Sequence, residues 1–112
     1  MIRQTCLSLS GVSESVKWGN NLVFSVGTKM FCLLDLEPPF RCSFKVADED
    51  FETLCERKEF SPAPYLARAG WVMAVGVALM GKTEWQERLR QSYELVRAKL
   101  SKKDREALGL GS

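Results

Sequence analysis

Hydrophobic positions recur first at helical spacing. Ile2, Cys6 and Leu9 fall on one side of a helix over residues 2 to 9, and Gly11 supplies its stop. From Val16 to Val46 the period changes. The runs "VKW", "LVFSV", "KMFCLLDL" and "FRCSFKV" are rich in β-branched and aromatic residues and are separated by turn residues, which predicts a meander of strands. Gly27-Thr28, between Val26 and Lys29, predicts a two-residue hairpin turn. Glu37-Pro38-Pro39 closes the next hairpin with residues that cannot continue a ladder.

"ADEDFETLCERKEF" reads as a helix: Asp48 is its N-cap, Glu49, Asp50 and Glu52 load its positive end, and Phe51, Leu54 and Cys55 share a face. Pro62 and Pro64 fix an extended lead-in after it, with Tyr65 and Trp71 pinning that lead-in and the next strand, "GWVMAV", onto the domain. A long helix from Thr83 to Leu100 carries Trp85, Leu89, Ser92, Tyr93, Val96 and Leu100 as one stripe, the face that lies on the sheet. "SKKDREALGLGS" follows as a short basic tail. This order predicts the α+β class: a largely antiparallel sheet with helices packed on one face, in one domain over residues 1 to 112.

Pairing across the predicted turns assigns the faces. The Gly27-Thr28 turn sets Phe24 opposite Phe31 and Leu22 opposite Leu33; the turn at residues 37 to 39 sets Leu36, Leu34 and Cys32 opposite Phe40, Cys42 and Phe44. The second set makes the better core. The opposite face then carries Lys29, Phe31, Leu33, Arg41, Ser43 and Lys45. Left open, such a face suits nucleic acid, with rings stacking on bases and cations meeting phosphates. The same residues have a plainer alternative: Phe31 and Leu33 under a terminal helix or a second copy of the chain, and the cations as ordinary solvated strand residues.

Composition narrows the function classes. The chain has 112 residues, 46% of them hydrophobic, enough for a core; its net charge is +2 and its pI near 8.4, which neither demands nor forbids a polyanion. No acid occurs between Ser61 and Gly81, whereas Asp48, Glu49, Asp50, Glu52, Glu56 and Glu59 gather in the middle helix. No apolar run approaches the roughly 20 residues that span a bilayer, and the N-terminus lacks a signal-peptide layout, so a cytoplasmic location is expected. Cys6, Cys32, Cys42 and Cys55 are widely spaced and there is no histidine, so they read as reduced core thiols, with no metal or other cofactor implied.

Four segments, "VKWG" at Val16 to Gly19, "GTKMFCLL" at Gly27 to Leu34, "APYLARAGWV" at Ala63 to Val72 and "SYELVRAKLSKKDREALGL" at Ser92 to Leu110, together resemble the MmcQ/YjbR family of small bacterial proteins. The resemblance implies a CyaY-like, secretion-chaperone-like fold and DNA binding through a double-wing arrangement of hairpins. Carried onto this chain, it points to the hairpin at Gly27, Thr28 and Lys29, to Arg41 and Lys45 on the next strand, and to Arg68 before Trp71. With Phe31 these form the candidate DNA-binding set: Lys29, Phe31, Arg41, Lys45 and Arg68.

An iron site of the kind such a topology invites would need a carboxylate ridge, for which only Asp48, Glu52 and Glu56 qualify; a solvated helix face explains them at least as well. Enzymatic activity is not expected, since the chain lacks a histidine base, a nucleophile elbow and a phosphate-cradling glycine loop. The alternative to DNA is a protein partner, or a second copy, held on Phe24, Phe31 and Leu33.

Overall fold

The computed structural model describes residues 1–109. Six strands form one antiparallel sheet in the order β1 (Val12–Lys17), β2 (Asn21–Val26), β3 (Lys29–Asp35), β4 (Cys42–Lys45), β6 (Trp71–Ala74), β5 (Phe60–Pro62). Helix α1 (Ile2–Leu7) precedes β1, α2 (Asp48–Cys55) joins β4 to β5, and α3 (Lys82–Arg97) and α4 (Lys102–Ala107) end the described chain. This is the α+β architecture that the sequence pattern predicts.

Helix α3 lies on the sheet through the predicted stripe. Trp85, Leu89, Ser92, Tyr93 and Val96 are buried against Phe24, Phe31, Cys32, Phe44, Val72 and Ala74, and Leu100, expected within the helix, is buried just past its end at Arg97. Trp85 meets Phe44 edge-on at 5.7 Å between ring centres, and its indole N–H donates to Val77 O at 2.7 Å. Tyr93 meets Phe31 edge-on at 5.6 Å, and its hydroxyl reaches Ser10 O at 2.5 Å at the core's rim.

One irregularity decides which residues share the core. The Gly27-Thr28 turn forms as predicted, with Gly27 at φ +61° and Val26 opposite Lys29, but β3 then inserts one extra residue. Ser25 pairs with Met30 and Phe24 with Cys32, leaving Phe31 in a β-bulge. The expected pairs Phe24 with Phe31 and Leu22 with Leu33 are therefore replaced by Phe24 with Cys32 and Leu22 with Leu34. Phe24 and Phe31 both end in the helix-side core, fully buried.

The bulge also interrupts the ladder to β4, which runs Leu34–Cys42, Leu33–Ser43, Cys32–Phe44 and stops. The next rung would join Phe31 to Lys45. Ser92 stands in that gap: its hydroxyl donates to Phe31 O at 2.6 Å and accepts from Lys45 N at 2.9 Å. A side chain of α3 thus satisfies two backbone groups that a regular ladder would have paired with each other.

Other departures are local. Ala47, not Asp48, is the N-cap of α2, and the helix ends at Cys55, so that Phe60–Pro62 is released to form the edge strand β5. The segment read as a basic tail contains α4, capped by Ser101 accepting from Asp104 N at 3.1 Å; the last three residues of that segment lie outside the described ones. Leu100 and Leu108 close over Gly27, where an added Cβ would lie 3.4 and 3.2 Å from them. At the opposite edge, Glu14 of β1 occupies the helix-side register opposite Phe24, and Arg3 of α1 meets it with two hydrogen bonds, of 2.6 and 2.9 Å.

Replacing Ser92 by Ala would strand the Phe31 carbonyl and the Lys45 amide. We expect urea denaturation to show a loss of about 1–3 kcal/mol with the helical and strand content unchanged.

Candidate functional site

The sheet's second face is where the sequence and the structure diverge most. By register it carries Lys17, Asn21 and Asp35 in one row, Ser15, Val23, Leu33, Ser43 and Met73 in the next, then Ser25 with Met30, and Lys45 with Trp71. Val23, Ala63 and Trp71 are buried, yet apart from the helix-side core. Residues 63–70 form a strap over this face. Its ends are clasped by Ala63 N–H donating to Trp71 O at 3.0 Å, and Gly70, at φ +82°, accepts from Val46 N at 2.9 Å.

The strap begins with a tight turn. Pro64 and Tyr65 take its central positions, and Leu66 N–H donates to Ala63 O at 3.1 Å. Tyr65 sits at φ +66°, the position that a type II turn ordinarily gives to glycine. Its side chain is fully exposed, so it does not pin the lead-in as expected. At the tip of the β1–β2 hairpin, Trp18 likewise takes φ +54°, followed by Gly19 at φ +83°, and is 66% exposed. Left-handed backbone at a bulky aromatic residue costs about 1–2 kcal/mol. Neither ring recovers that cost by burial.

Trp18 and Tyr65 line one cleft of about 460 Å3 with Asn21, Met30, Leu33, Pro64 and Leu66. None of these lining residues is acidic. The nearby Asp35 accepts the Asn21 side-chain amide at 2.8 Å, which fixes that amide in the cleft floor.

The sequence-predicted residues separate around this cleft. Arg41 continues the Lys17–Asn21–Asp35 row, since Asp35 N–H donates to Arg41 O at 2.9 Å, and it is exposed. Lys45 lies on the same face at the other end of β4, roughly 13 Å along the strand. Arg68 is exposed on the strap's 3-10 turn, Ala67–Ala69. Lys29 pairs with Val26 and so belongs to the helix-side register, at the sheet's rim. Phe31 is fully buried against Tyr93, and the bulge that puts it there removes it as a stacking platform. Trp18 and Lys17 carry no site reading from the sequence, and Tyr65 reads there as a packed anchor; the visible signal is turn chemistry, with Trp-Gly-Asn-Asn and Pro-Tyr at two turns.

Lys45 is held tightly. Its ammonium donates to Ala69 O at 2.6 Å, tying β4 to the strap. Burial holds its pKa below the usual lysine value, the Lys99 ammonium lowers it further, and Asp48 opposes both. Between its lowered folded pKa and the usual lysine pKa the folded chain therefore carries fewer protons at this site than the unfolded chain, and this group makes stability rise with pH across that window.

The thiols are poorly placed for nucleophilic work. Cys32 and Cys42 lie 3.6 Å apart at the sulfurs, and Cys32 is pushed well up by its hydrogen bond to Cys42 and by burial. Cys6 is pushed up by its hydrogen bond to Cys32 and by burial, and Cys55 by burial. Among the described residues no three His, Cys, Asp or Glu side chains are grouped to hold a metal ion, and no helix is long and apolar enough to cross a membrane.

The family model YjbR matches residues 7–95. The chain is similar to the crystal structure of the Deinococcus radiodurans protein DR2400, a DUF419 domain, at 31% identity over 97% of this chain and 86% of that one, with a TM-score of 0.85. A Pseudomonas syringae protein of known structure shares the fold at 18% identity, over 75% of this chain and 86% of that one, with a TM-score of 0.62. No curated protein matches.

The Lys45 environment yields a direct check. In an NMR titration of the lysine side chains, Lys45 should lose its proton at lower pH than a fully solvated lysine. Lys99→Gln should raise that midpoint only part of the way, because burial remains.

Proposed function

The chain belongs to the YjbR family, and from that premise we propose that it is a nucleic-acid-binding protein without enzymatic activity, whose contact surface is the strapped face of the sheet. The observation that carries this reading is the pairing of exposed rings with cations around one cleft. Lys17 precedes Trp18 and shares a row with Asn21 of the cleft floor; Arg68 follows Tyr65 on the strap. Arg41 and Lys45 stand at the two ends of β4 on the same face. Cations that outnumber the one carboxylate of that row, Asp35, attract a phosphate backbone, and exposed rings offer flat faces to bases. The absence of histidine and the raised thiols support a binding role over catalysis.

A protein segment held in the cleft is the second reading, favoured by the apolar lining of Met30, Leu33, Pro64 and Leu66. Salt separates the two.

With fluorescently labelled DNA, anisotropy should report binding that weakens steeply between low and moderate salt. Lys17→Ala, Arg41→Ala and Arg68→Ala should each reduce the log–log salt slope by roughly one, and Lys29→Ala should leave it unchanged. No binding to any DNA at low salt would remove the reading. Salt-insensitive binding of an apolar peptide, lost in Leu33→Ser, would support the second.

A further inference from the structure

We propose that the cleft between Trp18 and Tyr65 takes an unpaired nucleobase, so that single-stranded nucleic acid is the form this face engages with its bases. The inference rests on the nucleic-acid reading above and specifies which part of the ligand enters the cleft.

Bases in a duplex are stacked on both faces and cannot enter a side cleft; an unpaired base offers its faces and its edge. The cleft matches both. Trp18 and Tyr65 supply rings at its walls, and the volume of about 460 Å3 lies within the roughly 300–1,000 Å3 range of small-molecule pockets. Met30, Leu33, Pro64 and Leu66 give an apolar floor and side, and Asn21 adds one polar side chain. That amide spends one N–H on Asp35, which orients it and leaves its second N–H and its carbonyl oxygen as an adjacent donor and acceptor. An amide in this form matches the donor–acceptor edge of a base.

Charge complementarity favours a nucleotide over an apolar peptide. The row that holds Asn21 carries Lys17 and Arg41 against one carboxylate, Asp35, which bonds the Asn21 amide; Arg68 lies on the strap, and no lining residue is acidic. The two rings also share a backbone feature. Both rings sit on left-handed residues, Tyr65 at a turn position where glycine would relieve strain, and both remain exposed. Phe40 takes the same left-handed backbone away from the cleft, so strain alone does not mark the site; what sets Trp18 and Tyr65 apart is that both line one cleft, where one ligand would cover them together.

The spectroscopy is clean because, of the three tryptophans, Trp71 and Trp85 are buried and Trp18 is exposed. The full chain is titrated with an oligo-dT strand, with an equally long abasic sugar-phosphate strand, and with duplex DNA, following tryptophan emission and anisotropy together. We expect oligo-dT to quench Trp18 and to bind about tenfold tighter than the abasic strand. Tyr65→Gly should fold at least as stably as the native chain and bind oligo-dT about tenfold more weakly, while Tyr65→Phe retains binding.

Equal affinity for oligo-dT and the abasic strand overturns the base cleft and leaves the phosphate-binding reading standing. Duplex binding as tight as oligo-dT, with Trp18 emission unchanged, does the same. If none of the three probes binds at low salt, both readings fall. The wild-type titration needs no variant, so it decides the matter even where a substitution impairs folding.

Discussion

The fold turns on a serine hydroxyl. Ser92 of α3 stands where β3 and β4 part, donating to the carbonyl of the bulged Phe31 and accepting from the amide of Lys45. Without the bulge, β3 would keep strict alternation and Phe31 and Cys32 would face opposite sides of the sheet. With it, Phe31 and Cys32 both reach the helix-side core, where Phe31 packs on Tyr93 one residue from Ser92. A bulge leaves backbone groups unpaired, and Phe31, at 0% exposure, has no water to turn to; Ser92 meets its carbonyl and the Lys45 amide from the same helix face that packs the core.

That constraint reaches the far side of the sheet. Taking Phe24 and Phe31 into the helix-side core leaves Val23, Met30 and Leu33 on the other face, too apolar to stand open and too few for a helix. The 63–70 strap covers part of it, with Ala63 and Trp71 buried at its clasp and Lys45 bonded up to Ala69. What the strap leaves uncovered, between its own Pro64-Tyr65 turn and the β1–β2 hairpin, is the cleft. The candidate site is thus the remainder of an incompletely covered apolar face, rimmed by rings and cations.

Legibility in the sequence followed the strength of the local signal. The α3 stripe is readable because five buried positions repeat at helical spacing, and the Gly27-Thr28 turn because glycine there is demanded by its left-handed φ. The bulge is not, since "KMFCLLD" is apolar at almost every position and alternation offers no break to mark the extra residue. Hence Phe31 was placed on the wrong face and the cations were divided: Arg41, Lys45 and Arg68 remain around the strapped face, whereas Lys29 does not. Tyr65 was misplaced for another reason. An aromatic beside prolines ordinarily means a packed anchor, and nothing local says that it occupies a glycine's position in a turn. Helix α4 did have a signal, Ser101 three residues before Asp104, hidden within a run of charges.

On the proposed function, the cleft on the strapped face, and not the helical face, meets the ligand. The most direct measurement is an amide and indole NMR map of the chain with and without a short single-stranded oligonucleotide. The Trp18 indole, the Asn21 side-chain amide and the Leu33 and Leu66 amides should shift, while the Trp85 indole N–H, bonded to Val77 O beneath α3, stays in place. Shifts gathered on α2 and α3, with Trp18 and Asn21 unmoved, would contradict it.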